Sequence, residues 1–201
     1  YKARNKPFAI PDARVAIDAG NIREAWLSRP TRRYDHRLLG DEIEGGGLQV
    51  TLPQGREIEL LLDDTSVFED RMARIVDLDG DGENEIVTVR SRPDAGAALA
   101  VYGLADETIV AVAETAPAGK GSWLAVAAAA DFDGDGRSEL AYVENPHAAG
   151  GGTLKLVRLE REGNGRVLKE VAALQGFSNH ERGSRELQQA VIFTSTQRDA
   201  D

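Results

Sequence analysis

The feature that most limits how this chain can fold is an internal repeat. The stretch Val76-Asp-Leu-Asp-Gly-Asp-Gly-Glu-Asn-Glu-Ile-Val-Thr-Val89 returns 54 residues later as Ala130-Asp-Phe-Asp-Gly-Asp-Gly-Arg-Ser-Glu-Leu-Ala-Tyr-Val143. A repeat of this kind marks one supersecondary unit used more than once, with neighbouring copies burying each other's apolar faces. A unit of that length has room for four short strands with their turns.

The segments after each acidic loop read as β-structure. Residues 85–89 are rich in β-branched side chains, 97–102 are apolar and 108–113 alternate weakly. In the second copy the corresponding runs are 139–143, 153–159 and 167–172. Turn clusters at 92–96, 145–150 and 163–165 separate them. Upstream, 47–52 and 56–62 flank Pro53-Gln-Gly55 and predict a hairpin of an earlier unit without the acidic loop. Residues 1–35 read as an irregular N-terminal segment, with a helical turn or two at 22–27 limited by Pro30.

The loops carry the chemistry. Positions 1, 3 and 5 are Asp77, Asp79 and Asp81 in the first copy, and Asp131, Asp133 and Asp135 in the second. Glycines at positions 4 and 6 (Gly80, Gly82; Gly134, Gly136) accept φ > 0 and let the backbone wrap an ion. Position 7 needs to offer only a carbonyl, so Glu83 and Arg137 serve equally. Position 9 returns a carboxylate, Glu85 or Glu139, to close the coordination. Three aspartates crowded in one turn repel one another by roughly a few kcal/mol per close pair, which argues for a cation. Oxygen donors without cysteine favour a hard ion, and two Ca²⁺ sites are expected. An EF-hand is excluded, because position 12 is Thr88 or Tyr142 and a strand comes next.

On these residues, 77–89 and 131–143, the chain resembles the FG-GAP repeats, also called VCBS repeats, of integrin-like β-propellers; the resemblance covers roughly 40–176. It implies a loop that joins the first two strands of a blade and binds calcium through the residues named above. Glu at position 9 departs from the more usual Asp. Leu39-Gly-Asp41, Val67-Phe-Glu-Asp70 and Gly176-Phe-Ser-Asn-His180 resemble bacterial, exported members, which implies an extracytoplasmic protein, periplasmic or secreted.

Catalytic signatures are missing: there is no Gly-x-Ser-x-Gly elbow, His-Glu-x-x-His helix or phosphate-cradling Gly-x-x-x-x-Gly-Lys-Ser/Thr loop. His36, His147 and His180 are far apart in sequence; His147 after Asn145-Pro146 and His180 after Ser178-Asn179 read as turn residues capping backbone groups, and a fold that gathers two of the three with a carboxylate is the alternative. Trp26, Trp123, Tyr102 and Tyr142 read as packing residues, or else as a sugar-stacking face. With 34 acidic against 24 basic residues and a net charge of −10, nucleic acid and anionic membrane are poor partners. No apolar run is long enough for membrane insertion as a helix.

The expectation is therefore an all-β chain, a partial β-propeller of about three to four four-stranded blades with calcium loops in the blade hairpins. Blades are placed at about 36–70, 71–120 and 121–176, with a partial one at 177–201. The function expected is that of a noncatalytic recognition or adhesion scaffold for a protein or glycan ligand. The alternatives are a lectin of the same fold and a calcium-dependent polysaccharide lyase or hydrolase. An open array exposes strand edges, so the remaining blades of a longer chain, or self-association, are expected to complete it. Asp199-Ala-Asp201 reads as the first half of a third acidic loop, although 68 residues separate Asp199 from Asp131.

Overall fold

The computed structural model describes residue 3 and residues 5–187, and the half-loop at 199–201 lies outside them. Among the described residues there is no helix, and thirteen strands form two antiparallel sheets that do not close into a barrel. Hydrogen bonding groups twelve of the strands into three four-stranded meanders. The first contains β1 (Ala16–Ile17), β2 (Glu24–Thr31), β3 (Glu44–Thr51) and β4 (Glu57–Leu61). Between it and the next lies the two-residue strand β5 (Val67–Phe68). The second meander contains β6 (Arg74–Val76), β7 (Glu85–Arg92), β8 (Gly96–Ala105) and β9 (Thr108–Glu114). The third contains β10 (Leu124–Ala130), β11 (Glu139–Glu144), β12 (Gly152–Glu162) and β13 (Gly165–Phe177).

Turn chemistry fixes the registers. The β8–β9 hairpin closes on Asp106 and Glu107, at φ 49 and 56, the positive values that a type I′ turn demands. Gly163, at φ 58, opens the two-residue loop between β12 and β13. β5 bridges the first two meanders, since Phe68 pairs with Gly45 of β3 while Val67 and Phe68 pair with Ser91 and Arg90 of β7. These bonds join meanders one and two into a single nine-stranded sheet.

That sheet folds back on itself, which explains why β7 is apolar on both sides. Ile86, Ala100 and Tyr102 face one core with Trp26, Leu48 and Val50 of the first meander. Val87, Val89, Leu99 and Val101 face a second core with Leu124, Leu140, Tyr142 and Leu159 of the third. A strand buried on both faces loses the period-2 alternation of a half-exposed one and reads as a continuous apolar run. On the last strand, Val171 and Leu174 are exposed.

Two expectations need correction. Residues 1–35 are not simply irregular, and 22–27 is not helical: β1 and β2 lie there, with Trp26 and Leu27 fully buried. At Pro30 the ladder opens without a change of register: Arg29, at φ 57, and Gly46 opposite it are unpaired between Ser28↔Gly47 and Pro30↔Gly45. The stretch after Phe177 begins no new strand within 178–187. It runs back to the β2–β3 connection, where the Gly183 N–H donates to the Leu38 carbonyl and Arg185 to the Leu39 carbonyl.

Candidate metal centres

Both acidic loops occupy the same place, between the first and second strands of a meander. Val76 pairs with Glu85 and Ala130 with Glu139, so positions 0 and 9 sit side by side at the mouth of each loop. Inside, position 1 organises the turn. Asp77 accepts the Gly80 and Gly82 amides at 2.8 and 3.0 Å, and Asp131 accepts those of Gly134 and Gly136 at 2.7 and 2.9 Å. The four glycines have φ between 74 and 88, as the wrap requires. Position 9 ties the base: Glu85 accepts the Leu78 amide at 3.0 Å, and Glu139 the Phe132 amide at 2.9 Å.

Carboxylate oxygens from Asp77, Asp79 and Glu85 lie within 4.8 Å of one another, as do those from Asp131, Asp133 and Glu139. The residues fit a hard cation: the donors are oxygens, and Asp79 Oδ1 is buried with no hydrogen-bond partner. Asp81 and Asp135 stand outside these triads, each accepting the amide two residues on, from Glu83 and Arg137 at 2.9 Å. At position 7, the Glu83 side chain accepts from Asn21, whereas Arg137 donates to the Leu159 carbonyl.

Repulsion among the carboxylates does not by itself require an ion, because each loop already has a protein cation. Arg158, cross-strand from Glu139 on β12, contacts Asp133 at 2.7 Å, Asp135 at 2.9 Å and Glu139. Its hydrogen bond holds the Asp133 carboxyl below the usual carboxylate range, and hydrogen bonds to Glu139 and Asp133 raise the guanidinium. Arg166, at the start of β13 in the other sheet, reaches Glu85 at 2.8 Å and Asp79 and Asp81 at 3.5 Å. Burial pushes the Glu85 carboxyl up, opposed by the Leu78 amide and Arg166. A cleft of about 630 Å³ opens beside this loop, lined by Asn21, Asp81, Glu85, Leu104, Arg161 and Arg166.

The family model described as FG-GAP-like repeat matches residues 77–142, from the first aspartate of one loop through the strand after the other. Over those residues the chain is similar to an FG-GAP-like repeat. A search of curated proteins returns no match.

A degenerate third loop lies upstream of the matched FG-GAP-like segment. Ile17 pairs with Glu24 as Val76 pairs with Glu85, and Asp18 accepts the Gly20 amide two residues on at 2.7 Å, where Asp77 accepts those three and five on. Only residues 18–23 lie between the strands, where the other loops have 77–84 and 131–138, and the Lys6 ammonium binds Glu24. This short loop clasps the first acidic loop. Asn84 N–H donates to Asn21 Oδ1 at 2.8 Å, and Asn84 Nδ2 to Asp18 at 2.8 Å. The signal was the Asp…Glu pair itself, hidden by a spacing two residues short.

The fold also gathers residues that the sequence scatters. His147 Nε2 and His180 Nδ1 are 2.8 Å apart beside Trp123, and His36 Nδ1 lies 2.8 Å from Glu69 and Nε2 3.2 Å from the Gly121 carbonyl. Burial pulls His147 and His180 down, while the bond to Glu69 raises His36. The expected backbone cap holds for His180, which contacts the Ser184 carbonyl at 3.0 Å. Trp26, Trp123, Tyr102 and Tyr142 are all buried, which withdraws them from any sugar-stacking face.

Proposed function

We propose that this chain is a calcium-binding, noncatalytic scaffold of the β-propeller type, in which two ions brace the first hairpins of successive blades. The carrying observation is that two acidic triads recur at one register of two stacked four-stranded meanders. Asp77, Asp79 and Glu85 would hold one ion and Asp131, Asp133 and Glu139 the other, with Asp81, Asp135 and the position-7 carbonyls as further donors. The ion supplies positive charge that cross-links carboxylates from both ends of a loop. Asp77 and Asp131 order the loop backbone, and the position-9 glutamates pin its base to the following strand. The noncatalytic reading rests on the sequence, which carries no hydrolase, zinc-protease or nucleotide signature. The loop-bearing surface of such a scaffold serves recognition of a protein or glycan, outside the cytoplasm.

Titration calorimetry with calcium tests the reading. Two sites per chain are expected, with Asp79→Ala and Asp133→Ala each removing one. A stoichiometry below one per chain, or equal preference for zinc, overturns it.

A further inference from the structure

We propose that each acidic loop is a cation–guanidinium exchange site, in which Arg166 and Arg158 occupy the place of the ion and rank the two loops, the first filling before the second. The exchange rests on the calcium reading above and concerns residues that the repeat motif does not contain.

Two carboxylates of each triad are held by an arginine, Asp79 and Glu85 by Arg166 and Asp133 and Glu139 by Arg158, while Asp77 and Asp131 accept amides of their own loops. A divalent ion among these oxygens would stand within a few ångströms of the guanidinium carbon, a like-charge approach that a partly buried site does not tolerate. Entry of the ion therefore expels the arginine. The two arginines do not hold equally well. Arg158 makes contacts of 2.7 and 2.9 Å and a still closer one to Glu139, from the strand paired with Glu139 itself. Arg166 comes from the other sheet, has one contact at 2.8 Å and two at 3.5 Å, and leaves Asp79 Oδ1 buried without a partner on a side chain only 10% exposed. The first loop is thus incompletely satisfied by its arginine and gives it up more readily.

Calcium titrations of the full chain, with Asp79→Ala and Asp133→Ala assigning the sites, separate the outcomes. In the unaltered protein the first loop should bind more tightly. Arg158→Gln should tighten the second loop by about tenfold or more, the scale of one charge-assisted hydrogen bond removed from the competing state. Arg166→Gln should tighten the first. Arg161→Gln, which removes an equal charge from the same hairpin, should change either affinity far less. If a glutamine variant does not fold, the lysine variant, which keeps the charge and loses the fork, should move affinity in the same direction by less. Unchanged affinities in the arginine variants, an equal effect of Arg161→Gln, or tighter binding at the second loop would overturn the exchange while leaving the calcium reading intact. Absence of binding in every variant would overturn both.

Discussion

Asp77 uses both carboxylate oxygens to hold amides of its own loop, and Asp131 does the same, so the turn is shaped before any ion arrives. Glu44 shows the opposite situation. It is 1% exposed, neither carboxyl oxygen has a hydrogen-bond partner, and burial, with Glu69 and Asp41 nearby, pushes its pKa to about 9. The folded chain therefore keeps this proton at neutral pH while the unfolded chain releases it near the ordinary glutamate value. Its contribution to stability is fully present below that unfolded value and is lost as pH rises through about 9. Glu44→Gln removes the titration. Thermal melts from pH 5 to 9 should show the variant gaining on the unaltered protein as pH rises, by on the order of 2–3 kcal/mol at neutrality. Parallel curves for the two proteins would show that Glu44 is ionised in the fold.

At the scale of elements, the two acidic loops differ in the groups that hold them from outside. The first is clasped by residues 18–23 and by Arg166, from two other meanders, whereas the second relies on Arg158 and Arg137 contacts within its own. Asn21→Ala removes hydrogen bonds to Asn84 and Glu83 and should lower stability by about 1–2 kcal/mol in urea titrations. It should also weaken calcium at the first loop and spare the second; equal weakening at both would mean that the clasp acts globally. The strands legible in the sequence, β3, β4, β7 to β9 and β11 to β13, combine apolar or β-branched runs with turn residues at their ends. β2 was hidden by Pro30 and the unpaired Arg29, and β10, all alanine after Val126, owes its conformation to packing rather than propensity. The acidic positions were legible because they are local. Their counter-ions were not, since Arg158 stands 19 residues from Glu139 and Arg166 stands 81 from Glu85.

For the whole molecule, the second meander is the shared wall of both cores, and ions held as proposed at its first loop and at that of the third meander would act on the same stack. Mass action then sets the gain: at a hundredfold excess over the dissociation constant each site adds about 2.7 kcal/mol, provided the unfolded chain binds none. Chelation by EDTA should lower the melting temperature, and an unchanged melt would mean that the arginines alone suffice to hold the loops. The three meanders are not equally joined. β5 gives the first two a common hydrogen-bonded seam of two residues, while the third belongs to a separate sheet and meets the second through side chains. Under a stretching load that difference becomes mechanical. Ladder bonds along that seam must be broken to part the first pair, whereas the third unit is held by an apolar face, by Arg166 on the first acidic loop and by the Gly183–Leu38 backbone bond of the segment that follows it, so tension must break that return tie before the third unit can leave and the β5 rivet be tested.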